Sequence, residues 1–278
     1  MTDSLLRSAS LADIATARAI AHRATQHLTK AARANLEAQP DDSHSNLGWD
    51  HKQNAFLSQP IDGKYVGLSI APLSLFILEG SEHLESLTLN NLTDAEAGQW
   101  LDRKLAGLGL SAGSSTELPY ELPADVANVE NYRKTNDDAG LDALSAWFQA
   151  ASNALDNFVS ENTDIVPGPS AVRCWPHHFD IATYVSMESG DPETARGVGV
   201  GMSPGDEGYN EPYFYINPWP HLDKDALPEA IAPGHWHAEG YVGSIATASE
   251  LLTTNNIEEA VSSFIAKSFS AGRAIQGI

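Results

Sequence analysis

Residues 179–216 read FDIATYVSMESGDPETARGVGVGMSPGDEGYNEPYFYI. Three runs, Phe179–Met187, Gly197–Met202 and Tyr213–Ile216, are short and apolar or aromatic. Turn residues divide them, Glu188-Ser189-Gly190-Asp191 and Ser203-Pro204-Gly205-Asp206. Short strands joined by tight turns pair antiparallel, because a parallel partner needs a long crossover. Working outward, Val172–Trp175 and Trp236–Ile245 add strands, and Asn256 with Glu259 opens a closing helix at 257–273. Upstream, Leu141, Leu144, Trp147, Phe148, Ala151, Leu155 and Phe158 recur on one side of a helix at 138–159.

The first half repeats this style. Lys64–Ile70, Leu73–Leu78 and Leu84–Leu89 read as strands, and Thr93 with Glu96 forms a capping box that starts a helix. Residues 10–38 read as an alanine-rich helix with Leu11, Ile14, Ile20, Leu28 and Leu36 on helical spacing. The expected fold is α+β, with antiparallel sheet flanked by helices in two similar strand-strand-strand-helix halves. The expected organisation is an N-terminal helix on the body (1–38), a first half (39–110), a proline-bearing strap (111–136) and a second half (137–278). Trp49-Asp50-His51 against Trp175-Pro176-His177 is a faint echo between the halves.

Of the 278 residues, 16 are Lys or Arg and 37 are Asp or Glu, for a net charge of −21. That balance argues against nucleic acid as a partner, since neutralising phosphate needs a basic face. It argues equally against anionic lipid. The charge is uneven: the first 36 residues carry +3 and the rest −24. A basic helix lying on an acidic body accounts for this. One cysteine, Cys174, permits no internal disulfide, and the longest apolar stretch, 66–78, is too short to span a bilayer. The expected compartment is the cytoplasm. Oligomeric state is not legible.

Candidate chemistry concentrates in residues 173–239, which hold five of the ten histidines. On a strand, His235, His237 and Glu239 share one face and Trp236 takes the other. His178 and Asp180 stand in the same i, i+2 relation. Two imidazoles so placed can converge on a divalent Zn, Fe, Ni or Mn ion, with His178 or Asp180 as the third ligand and Glu239 as a more distant one. The more ordinary reading of the same residues is a structural or small-molecule-facing histidine cluster, packed beside tryptophans. Trp175, His178, Tyr213, Tyr215 and Trp236 are the candidate pocket walls, and Asp180 and Glu211 the candidate acid–base residues. Gly201-Met202-Ser203-Pro204-Gly205 matches a nucleophile-elbow pattern, but the prolines that follow favour a hairpin turn over the helix that an elbow requires. Gly197-Val198-Gly199-Val200-Gly201 lacks a phosphate-loop spacing, and reads as a strand closely approached by another backbone or an aromatic face.

Gly63-Lys64, Leu108-Gly109-Leu110, Glu121-Leu122-Pro123, Trp147-Phe148, Phe179-Asp180-Ile181-Ala182 and Tyr213-Phe214-Tyr215-Ile216-Asn217-Pro218 occur in this order. In that order the chain resembles an uncharacterised bacterial family of domains of unknown function, over about residues 45–275. The resemblance implies no activity. It gives weight to Asp180, which lies in the most recognisable of these motifs. The functional expectation is a soluble small-molecule-binding protein or enzyme with a His/Asp/aromatic pocket, metal-dependent in one version. The alternatives are a non-catalytic interaction protein with a packed His–Trp cluster and a hydrolase using Ser203.

Overall fold

The structure is a computed structural model, and it describes residues 2–132, 139–191 and 193–277. Positions 133–136 of the expected strap and 138 of the expected helix lie outside the described residues. In chain order come α1 (Thr2–Leu6), α2 (Leu11–Asn35), β1 (Gly48–Asp50), β2 (Ala55–Leu57), β3 (Lys64–Ser69), β4 (Ser74–Glu79), β5 (Glu82–Thr88), α3 (Asp94–Gly107), α4 (Ala124–Ala127) and α5 (Ala139–Glu161). There follow β6 (Gly168–Pro169), β7 (Arg173–Trp175), β8 (Asp180–Ser186), β9 (Gly197–Ser203), β10 (Tyr213–Trp219), β11 (His235–His237), β12 (Gly243–Thr247), α6 (Ala248–Leu251) and α7 (Ile257–Gln276). The fold is α+β with two antiparallel sheets, of five and seven strands. The chain forms two compact units.

The first unit comprises Ser8–Ala146 and Cys174–Phe179. Its sheet is a meander in the order β1-β2-β3-β4-β5, as short antiparallel strands with tight turns require. Helix α2 packs against β3. It starts at Ser10, whose hydroxyl accepts the Asp13 N–H. It buries polar groups along with Ile14 and Leu28. Arg18 pairs with Asp125 at 2.9 Å, and Arg23 with Asp94 at 2.6 Å. The Asp94 carboxylate also accepts from Tyr132 at 2.5 Å and lies 3.0 Å from His27 Nε2. Burial alone would raise the Asp94 carboxyl, but His27, Arg23 and Tyr132 together outweigh it and hold the group well below the usual carboxylate range.

The same helix clasps the Trp175-Pro176-His177-His178-Phe179 turn. His22 Nε2 and Gln26 Nε2 both donate to the Pro176 carbonyl, at 2.8 and 2.9 Å. The His22 ring stacks on Phe179 with centroids 5.0 Å apart and planes 10° apart. Phe179 has φ +61°, a left-handed conformation that a bulky residue adopts only when its surroundings fix it. The His22 and Phe56 rings hold it there.

The second unit comprises Met1–Arg7, Trp147–Arg173 and Asp180–Ile278. Six strands of the seven-stranded sheet run in the order β11-β12-β10-β9-β8-β6, each pair antiparallel. The register aligns Met202 with Phe214 and with Ile181, and Val200 with Ile216. These side chains are buried on one face, where Trp147 meets Phe214 and α7 lies along β9 and β10. Phe158 meets Phe269 edge-on at 4.8 Å in the same layer. The expected single strand Trp236–Ile245 is two, β11 and β12. The chain reverses between them at Ala238–Val242, with Gly240 at φ +84°.

Burial lowers the His22 pKa from 6.5 to about 4. The folded state therefore favours neutral His22. Its stability is complete above pH 6.5 and is lost as pH falls toward 4, by about 3 kcal/mol for a shift of this size. His22→Gln keeps an N–H donor for Pro176 and cannot titrate. Urea unfolding midpoints measured from pH 7 to 4 should fall more steeply for the wild type than for His22→Gln, and equal slopes would rule the assignment out.

Candidate functional site

Alternation in the second unit puts every other residue on the sheet face opposite α7. In register across this face are Ala182, Gly201, Tyr215, Ile245 and His235. The glycines of β9 open a lane. A β-carbon on Gly197 would lie 2.3 Å from the Tyr184 hydroxyl, and one on Gly201 would lie 2.5 Å from the Tyr215 hydroxyl. The GVGVG segment is thus a strand overlain by aromatic rings, as its alternation suggests.

At one end of this face two histidines project from β11. His235 Nε2 and His237 Nδ1 each lie 3.0 Å from the hydroxyl of Tyr209. The outer nitrogens face groups that only accept: His235 Nδ1 donates to the Glu250 carboxylate at 2.9 Å, and His237 Nε2 donates to the Glu239 carbonyl at 2.6 Å. Glu250 is fixed by a second duty. Its other oxygen accepts from the Thr247 N–H and hydroxyl, at 2.8 and 3.1 Å, in a capping box that starts α6. His235 and Glu250 side chains are 39% and 32% exposed, so the site reaches solvent.

Phenols continue the site. Tyr209 lies 5.1 Å from Tyr213, Tyr213 lies 6.3 Å from Tyr215, and Tyr241 lies 4.5 Å from His237, centroid to centroid. Tyr213 donates to Asp206, and Tyr215 to Asp180, each at 2.5 Å. Burial is the main cause that raises all four phenols above their ordinary value, with neighbouring carboxylates adding to it; Tyr241 is raised to about 12. Around Tyr209 these carboxylates are Glu250, Asp206 and Glu239.

The structure brings together some of the residues expected from the sequence and not others. His235 and His237 do converge, but on Tyr209. Glu239 lies in the turn after β11, off the strand face, and meets His237 through its backbone. His178 lies in the turn before β8, so it has no i, i+2 strand relation to Asp180. Asp180 is bonded to Tyr215. Among the described residues no group of three or more His, Cys, Asp or Glu is placed to hold a metal ion. The ligand set His178, Asp180, His235, His237 and Glu239 is therefore not assembled.

Of the expected pocket walls, Tyr213 and Tyr215 belong to this face. Trp236 points away from its histidine neighbours and donates to the Pro228 carbonyl at 3.0 Å. Trp175 and His178 belong to the first unit, where Trp175 meets His177 at 6.2 Å. Glu211 caps α6, both its oxygens taken by Ser249 at 2.6 and 3.0 Å. Ser203 ends β9, and its hydroxyl accepts the Gly205 N–H in the hairpin turn that leads into β10. No nucleophile elbow forms there, because a strand follows and not a helix.

Tyr209 and Glu250 were not singled out by sequence reasoning. Glu250 had a signal, since Thr247-Ala248-Ser249-Glu250 has capping-box spacing. Tyr209 had none, because it lies in a turn and meets its partners only through the fold. No family model, curated protein or solved structure matches this chain.

Gly201→Ala should displace Tyr215 from Asp180, since the new methyl would also lie 2.8 Å from Ala182. A loss of about 1–3 kcal/mol in urea unfolding is expected. At Gly199 the nearest atom is 3.6 Å away. Gly199→Ala should therefore be neutral or slightly stabilising. Equal losses at the two positions would refute the aromatic overlay.

Proposed function

We propose that this protein binds a small polar molecule and moves protons on it at the Glu250–His235–Tyr209–His237 site. One observation carries the reading: a single phenol oxygen stands 3.0 Å from imidazole nitrogens of two histidines. Each imidazole is oriented through its outer nitrogen, by the Glu250 carboxylate and the Glu239 carbonyl. Oriented imidazoles and a phenol are general acid–base groups, and the phenol can pass a proton between them. The Asp206, Glu239 and Glu250 carboxylates disfavour an anionic ligand, so the fitting substrate is neutral or cationic. Tyr213 and Tyr241 add aromatic rings beside Tyr209 and His237. A lone, buried Cys174 suits a reducing compartment, and we place the protein in the cytoplasm.

A second reading rests on the double duty of Glu250. A residue that caps a helix and anchors an imidazole also serves pure packing, and the cluster then rigidifies the end of the sheet without acting on a ligand.

Hydrolysis of 4-nitrophenyl acetate, a small neutral ester open to imidazole catalysis, separates the two. The expected result is a rate above that of free imidazole at the same histidine concentration, falling at least tenfold in Tyr209→Phe and in His235→Gln. General acid–base catalysis contributes about 10²–10⁴-fold. Unchanged rates, with only the melting temperature altered, would favour the packing reading.

A further inference from the structure

The hydrogen bonds at this site converge on one oxygen. Glu250 and the Glu239 carbonyl can only accept, so His235 Nδ1 and His237 Nε2 carry the protons. His235 Nε2 and His237 Nδ1 are thereby turned inward, toward Tyr209. Both nitrogens face one hydroxyl, and that hydroxyl has one proton to give. Four short contacts then draw on three protons unless a fourth sits on an imidazole.

A metal cation among the three inner atoms would serve as well as that fourth proton. We propose that His235 Nε2, His237 Nδ1 and the Tyr209 oxygen together bind a divalent first-row ion of the Zn²⁺ or Cu²⁺ kind, with Tyr209 as its phenolate. The ion adds to the three converging atoms, and the Tyr209 O–H proton leaves to solvent. Ligand release of a proton on metal binding is the rule for such groups.

Three features fit. The ligand atoms of a tetrahedral ion at about 2.0–2.1 Å are roughly 3.3 Å apart, so the two 3.0 Å edges need only a small expansion. Metal-binding imidazoles characteristically donate their other N–H to a carboxylate or a backbone carbonyl. His235 and His237 do one each. Finally, Asp206, Glu239 and Glu250 surround the phenol with negative charge that favours a cation. Two imidazoles and a hard oxygen suit Zn²⁺ or Cu²⁺ better than Ca²⁺ or Mg²⁺. Three protein ligands leave one position open for water or substrate, as in catalytic zinc sites.

This inference rests on the proposal that the site is chemically active, and deepens it by naming the cofactor. The two fail separately. Untagged full-length protein is dialysed against chelator and titrated with ZnSO4 by calorimetry in buffers of different ionisation enthalpy. The expected result is one equivalent bound with one proton released. Tyr209→Phe should bind at least tenfold more weakly and lose that proton release. Glu250→Gln should lose about 10–100-fold in affinity, as expected for a group that orients a ligand. Cu²⁺ should give a visible phenolate charge-transfer band that Tyr209→Phe lacks.

Circular dichroism and melting of the metal-free variants confirm that they fold. His237→Gln, outside the capping box, tests the site if Glu250→Gln unfolds. No stoichiometric uptake by the wild type, or undiminished uptake by Tyr209→Phe, would overturn the site. Ester hydrolysis that still depends on Tyr209 in chelator-treated protein, without metal uptake, would overturn it and leave the acid–base proposal standing. Uptake as expected, with ester rates independent of Tyr209, would support the metal site and count against acid–base catalysis by the phenol.

Discussion

The two-residue alternation of the β8–β12 sheet sets almost everything in the second unit. Antiparallel register sends Val198, Val200, Met202, Phe214 and Ile216 to one face, where they are buried. The same register must send Asp180, Gly201, Tyr213, Tyr215, His235 and His237 to the other. A one-residue slip in β11 would exchange Trp236 for both histidines. Burial on the helix side therefore fixes the chemistry on the opposite side. The glycines of β9 let aromatic rings lie against the strand there, where any side chain would push them off.

Glu250 couples the site to the framework. One oxygen closes the start of α6, and the other anchors His235. The helix cap holds the carboxylate still, and the carboxylate selects which nitrogen of His235 carries the proton. The turn after β11 does the same for His237 through a backbone carbonyl. Neither imidazole can rotate or change tautomer without breaking a bond that the fold supplies. Such fixed orientation is what a proton relay or a metal ligand requires.

Much of this was legible in the residues. The turn chemistry at Ser203–Asp206 and the apolar runs around it identified an antiparallel α+β fold. The HxH pattern put His235 and His237 on one face. The errors have a common physical cause, which is where strands end. Gly240 reverses the chain just past His237, so Glu239 never shares the strand face. Phe179 takes a left-handed conformation, so alternation stops short of His178. Tyr209 is 26 and 28 residues from its two histidines. A contact of that range depends on the path of a turn, which local periodicity does not encode.

The charge distribution now has a structural reading. The basic residues of α2 serve its own unit: Arg18 meets Asp125, Arg23 meets Asp94 and Arg33 meets Asp42, with arginine side chains only 10%, 26% and 17% exposed. Such pairs remove positive charge from the surface and do little for the excess of carboxylates elsewhere in the chain. A net charge of −21 then leaves a negative field around the molecule. That field repels polyanions and concentrates cations near the surface. At the His235–Tyr209–His237 site it adds to three neighbouring carboxylates, so the same imbalance that argues against nucleic acid favours a positively charged guest.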